Sequence, residues 1–195
     1  MKCFFLTLLV FPVYLSCTNQ SNTVSKIPDK DTVVIQSFFP VTSFLKGQLY
    51  DIKKSGINPL KYTTIKNHTD SVWLKLEQID EAVNEFLHPE IDSVNLISMF
   101  TEKSFLDQSI DAFTFTYDPV GPLPDTMNLK HWDVYIDPTN GKVKRIYIVK
   151  EINKTKMLQL TWLSNQWCKI TSIITDQDGT STIEKEEKIT WDFNN

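Results

Sequence analysis

Cysteine is almost missing from this chain. Of 195 residues only Cys3, Cys17 and Cys168 are cysteine, and two of them lie in the first 17 positions. A body left with Cys168 alone forms no internal disulfide, which excludes the stapled small secreted domain. Glycine is nearly as scarce, with five residues. No phosphate-cradling P-loop, no G-x-G-x-x-G and no G-x-S-x-G nucleophile turn occurs. Histidine occurs three times, at His68, His88 and His131, far apart in sequence. With no H-x-x-x-H and no C-x-x-C, nothing local predicts a metal site, and each histidine reads as an exposed polar residue. Charge of one sign is lacking too. Twenty Lys and Arg against 24 Asp and Glu leave a net charge of −4. That excludes the basic footprint of a nucleic-acid binder and a cationic surface for anionic lipid. No cofactor is implied.

Long apolar runs are missing as well. The greasiest stretch, Cys3 to Tyr14, follows Met1-Lys2 and contains Pro12. It falls short of the ~20 residues that span a bilayer but matches the ~7–15 of a secretory h-region. Polar residues follow directly, "TNQSNTVSKIPDKD" from Thr18 to Asp31, with almost nothing to bury.

Between the two stands Leu15-Ser16-Cys17. This stretch resembles the lipobox of bacterial lipoproteins, in which a small residue precedes the cysteine that carries the lipid. Tyr14 stands where that family usually has an aliphatic residue. The resemblance covers about 20 residues. It implies removal of residues 1–16, lipidation of Cys17 and a tether to about residue 33. Three acyl chains anchor a protein stably. Thr18, not aspartate, follows the cysteine. Under enteric-type sorting this points to the outer membrane of a Gram-negative bacterium. Loss of Lys2 with the leader takes the net charge from −4 to −5.

Residues 34–195 are expected to form one α+β domain: N-terminal helices packed on a curved antiparallel meander of about six or more strands. Val41, Phe44, Leu45, Gln48, Leu49 and Ile52 recur at helical spacing, and Lys53, Lys54 and Gly56 form a helix stop. Pro59 to Gln78 reads as a hairpin turning at "NHTD". "DEAVNEFL", capped by Asp80, and "DSVNLISMF" read as short helices, and "TEKSFLDQSI" fits no single class. From Ala112 the period is two. Strand-like runs then follow to the C-terminus, one pair joined at Asn140-Gly141 and one at Ser164-Asn165. "YIDPTNGKVKRIYI" resembles strand pairs of PepSY-type and lipoprotein-carrier folds, and no functional residue is carried over from that likeness. Trp132, Trp162, Cys168 and Ile170 share the expected core phase, while Trp167 is in the opposite phase.

No catalytic, cofactor or metal residue is singled out. "TDQDGT" (Thr175–Thr180) reads as a turn rather than a calcium loop, and Glu186-Glu187 as a solvated charge run. Asp followed by Ser or Thr and an apolar residue recurs at Thr32, Ser71, Ser93 and Thr126. The pattern resembles the O-glycosylation acceptor of some Gram-negative envelope proteins, beside the plainer reading as cap and turn chemistry. The expected function is that of a lipid-anchored envelope protein that binds a partner or serves an assembly. The rivals are a carrier of a lipid or other hydrophobic ligand and a hydrolase whose site forms only in the fold. Metabolic labelling with a radioactive fatty acid should mark the wild-type chain. Cys17→Ala should take up none, and equal labelling of the two would remove the anchor.

Overall fold

The computed structural model describes residues 37–124 and 126–193, and residues 36–195 group as one compact unit. The chain runs through helix α1 (Val41–Ser55), strands β1 (Leu60–Ile65) and β2 (His68–Trp73), and a 3-10 turn at Leu76–Gln78. Two one-turn helices follow, α2 (Ile79–Ala82) and α3 (Asn84–Leu87). Seven strands complete it: β3 (Phe100–Asp107), β4 (Ala112–Pro119), β5 (Leu129–Ile136), β6 (Val143–Asn153), β7 (Lys156–Leu163), β8 (Trp167–Thr175) and β9 (Ser181–Thr190). The class is α+β, dominated by one antiparallel sheet in the order β2-β1-β9-β8-β7-β6-β5-β4-β3. From β3 to β9 each strand neighbours the next, so the meander is complete, and β1 closes on β9.

α1 forms where the sequence places it. Gly56, at φ 72, takes the left-handed cap that a side chain resists, and Lys53 and Lys54 occupy the last turn. No side chain caps the start at Pro40. The orphan donors there go elsewhere: Thr42 N–H donates to the Ile91 carbonyl at 3.0 Å. The Thr42 hydroxyl accepts Ile91 N–H at 2.8 Å. The loop before β3 is thereby stitched to the helix start.

The hairpin of β1 and β2 turns at Lys66-Asn67, two residues before the expected tip. Lys66 takes φ 55, and of the tetrad Asn67–Asp70 that looked like a turn, His68 to Asp70 pair as strand. Asp80 caps nothing, because the helix has already begun at Ile79 from the 3-10 turn. Residues 93–99 form bends and turns, not a helix. Asp92 Oδ1 accepts Val94 N–H at 2.8 Å and Asn95 N–H at 2.7 Å, which closes the backbone locally. The segment that fitted no class is the edge strand β3, paired in full with β4. At the Asn140-Gly141 turn only Gly141 takes positive φ, at 68.

One hydrophobic cluster fills the interior. It unites the α1 stripe Val41, Leu45, Leu49 and Ile52 with Trp132, Val134, Ile146, Ile148, Leu160 and Trp162 of the sheet. Trp132 stacks on Tyr117 at 4.6 Å, and Trp162 meets Phe86 edge-on at 5.3 Å. Trp73 is an exception among the tryptophans. It is 59% exposed on the edge strand β2, where its ring lies 5.5 Å from that of Phe193.

Trp162 is fully buried, whereas Trp167 lies on the opposite face beneath the Lys188 ammonium at 4.9 Å. Trp162→Ala should therefore cost ~3–5 kcal/mol through lost contacts and a cavity. Trp167→Ala should cost about 1 kcal/mol or less. Urea midpoints of the two variants check this, in one cooperative transition, and a costlier Trp167→Ala would overturn the assignment of faces.

Candidate binding cleft

Side chains alternate across a sheet, so one parity along each strand faces the cluster. On β7 that parity reads Trp162, Leu160, Leu158 and then Lys156; on β9 it reads Ile189, then Glu187 and Lys185. On β8 it reads Cys168, Ile170 and Ser172. The inner face thus turns from apolar to charged along its length. At the charged end lies a cleft of about 590 Å³. Lys61, Lys156, Leu158, Ile170, Ser172, Lys185 and Glu187 line it from the strands. Gln78, Glu81, Ala82, Asn84 and Glu85 line it from the short helical segment, with Leu74 and Ile152 completing the lining.

Glu187 organises the strand wall. Its Oε1 receives Lys61 Nζ at 2.6 Å and its Oε2 receives Lys185 Nζ at 2.8 Å. Burial works to raise its pKa, but the ammonium groups of Lys185 and Lys61 outweigh that and hold it below the usual carboxylate range. Lys156 pairs with Glu184 at 2.8 Å. Ser172 is 4% exposed, and its hydroxyl, which is not among the buried polar atoms left without a partner, meets the solvent of the cleft. Beside the cleft, Lys150 occupies an inward position on β6, 3% exposed. Its ammonium binds Glu85 Oε2 at 2.8 Å and also the Glu85 carbonyl, which ties α3 to the sheet.

The outer face carries a second polar group. The register of β4 and β5 sets Thr116 opposite Asp133 and Tyr117 opposite Trp132, which brings Asp118 beside His131. His131 Nδ1 lies 2.9 Å from Asp118 Oδ1, and its Nε2 lies 3.1 Å from Asp133 Oδ2. Thr116 donates to Asp133 at 2.7 Å, and Lys103 reaches Asp118 at 3.2 Å. His131 is thus half-buried and doubly paired rather than simply exposed. The bond from Asp133 raises its pKa, burial opposes that, and Asp118 raises it further. A carboxylate faces each ring nitrogen, an arrangement that favours the protonated ring, which donates at both.

The remaining expectations fall as follows. Cys17 and Thr32 lie outside the described residues. Ser71 is exposed on β2, Thr126 is exposed in the loop before β5, and Ser93 is half-buried beside the Asp92 turn. Cys168 is buried, its thiol pKa pushed upward by desolvation. Asp178 serves its own turn, accepting Thr180 N–H at 2.9 Å. No group of three His, Cys, Asp or Glu among the described residues is arranged to hold a metal ion. No helix among them is long and apolar enough to cross a membrane. No family model, curated protein or solved structure matches the chain.

Sequence reasoning missed both polar groups. Lys156 and Lys185 could have been flagged, since each falls in the core phase of its strand. The His131 pairing needed the register of β4 on β5.

The Asp118–His131–Asp133 group should make stability depend on pH. A raised histidine pKa adds stability that is full below the ordinary value of ~6.5 and fades as pH rises through the folded-state value. The lowered Asp118 and Asp133 values add stability that is present above ~3.9 and fades as pH falls through theirs. The group thus contributes most between about pH 4 and 6.5. Urea midpoints of wild type and His131→Gln should differ more at pH 5.5 than at pH 9. An equal or larger difference at pH 9 would contradict the pairing.

Proposed function

We propose that the chain is a lipid-anchored cell-envelope module that binds a ligand in the cleft between the 74–85 segment and strands β1, β9, β8 and β7. In this reading the helices form a layer over the apolar face of the sheet. The layer stops short of the charged end and leaves it open to solvent. Cys17 carries the anchor, in the outer membrane of a Gram-negative bacterium. Sugar at Ser71, Ser93 and Thr126, and at Thr32 in the tether, belongs to the same proposal.

The observation that carries the binding site is the gathering of the three lysines Lys61, Lys156 and Lys185 with Ser172 in one concavity. The cleft also has the ~300–1,000 Å³ of ordinary ligand sites. The lining speaks against a lipid carrier, because nine of its fourteen side chains are polar or charged. The His131 group speaks against a hydrolase, since both ring nitrogens face carboxylates.

The test is what the protein keeps when drawn from its own envelope. The full chain, extracted in mild detergent, should retain a low-mass species visible by native mass spectrometry. Ala82→Trp, which fills the cleft from its helical side, should lose it. The same species on both proteins, or on neither, would refute the cleft as the binding site.

A further inference from the structure

The cleft is sorted by sign. The strands supply Lys61, Lys156 and Lys185 to the lining against Glu187, with Glu184 outside the lining pairing Lys156, and the helical side supplies Glu81 and Glu85 with no lysine. The lining is balanced as a whole, three cations against three anions, yet cationic on one wall and anionic on the other. We infer that it takes a short peptide with free termini, its carboxylate at the strand wall and its ammonium at the helical wall. This rests on the cleft being the binding site.

The strand wall fits a carboxylate. Ser172 lies directly opposite Lys185 in the β8–β9 register and opposite Leu158 in the β7–β8 register, which puts Lys156 on the diagonal. A neutral hydroxyl donor therefore stands between two ammonium groups on one face. The two oxygens of a carboxylate accept from such a set. The helical wall fits an ammonium. Glu85 already holds Lys150, but Glu81 has no ion-pair partner among the described residues. Gln78 and Asn84 beside it offer amides, each both donor and acceptor, which match peptide groups. Between the walls Leu74, Ala82, Leu158 and Ile170 give an apolar floor for a side chain.

Other classes fit less well. A polyanion would meet Glu81, Glu85 and Glu187 without compensation, and like charges set against each other repel. A lipid tail would strip water from nine polar or charged side chains.

Calorimetric titration of the full chain in mild detergent tests this with four probes. They are Ala-Leu-Ala with free ends, N-acetylated, C-amidated and capped at both ends. The free-ended peptide should bind, and each cap should weaken it about tenfold or more, as expected for loss of one charge-assisted contact. Ser172→Ala should weaken the free-ended peptide but not the amide. Glu81→Gln, an exposed change on the helical side, should weaken the free-ended peptide but not the acetylated one. Doubly capped peptide bound as tightly as free-ended peptide, and displaced from the cleft by Ala82→Trp, would overturn the zwitterion and leave the cleft standing. Failure of all four to bind would also overturn it, while the species retained from the envelope still decides the cleft.

Discussion

The alternation of side chains along nine antiparallel strands is the constraint on which everything else depends. It commits most of one face of the sheet to apolar residues, and that part has to be removed from water. Trp132 and Trp162 are both fully buried, although neither indole N–H has a partner among the described residues. Magnitudes explain why they stay. An unpaired buried donor costs about 1–3 kcal/mol. Burying about 200 Å² of indole at ~25 cal/mol per Å² returns about 5 kcal/mol. The apolar term wins, and the rings then recruit neighbours: Phe38, Phe100 and Tyr117 around Trp132, Phe86 and Trp191 around Trp162.

The candidate site follows from where that commitment ends. The parity that buries Leu160 on β7 and Ile189 on β9 carries lysine and glutamate a few residues further along the same strands. Charged side chains cannot enter the cluster unpaired. Lys150, nearest the cluster, is paired with Glu85, while the groups beyond it line an open cleft. One sheet face therefore serves both as core and as binding surface. The outer face holds its polar groups differently, with His131 fixed between two aspartates and Arg145 4.0 Å above the Tyr135 ring. Those groups are satisfied by one another, whereas the groups of the cleft open to solvent.

Much of the fold was legible because it is local. Gly56 stops α1 by its backbone freedom, and the period-two pattern from Ala112 onward marks strands without any knowledge of partners. The opposite phases of Trp162 and Trp167 follow from counting by two. What escaped was non-local or competed with a similar local signal. Residues 93–99 carry a helix-like apolar spacing, but Asp92 caps the following amides and turns the chain. Asp80 suits an N-cap, yet the 3-10 turn ahead of it starts the helix earlier. β3 pairs only through β4, at an edge where Phe105 and Leu106 stay exposed, so its pattern never alternates cleanly. The cleft draws residues from positions 61 to 187, and no spacing within one segment announces such a site.

The central claim is that the charged end of the inner face is where a ligand sits. Crystals of the full chain purified from its native envelope, with whatever it carries, test this most directly. The account predicts ligand density within hydrogen-bond reach of Ser172 Oγ and Lys185 Nζ, between β8, β9 and the 74–85 segment. Density seated instead on the outer face around His131, or Ala82 packed directly onto Ile170 with the cleft closed, would contradict it.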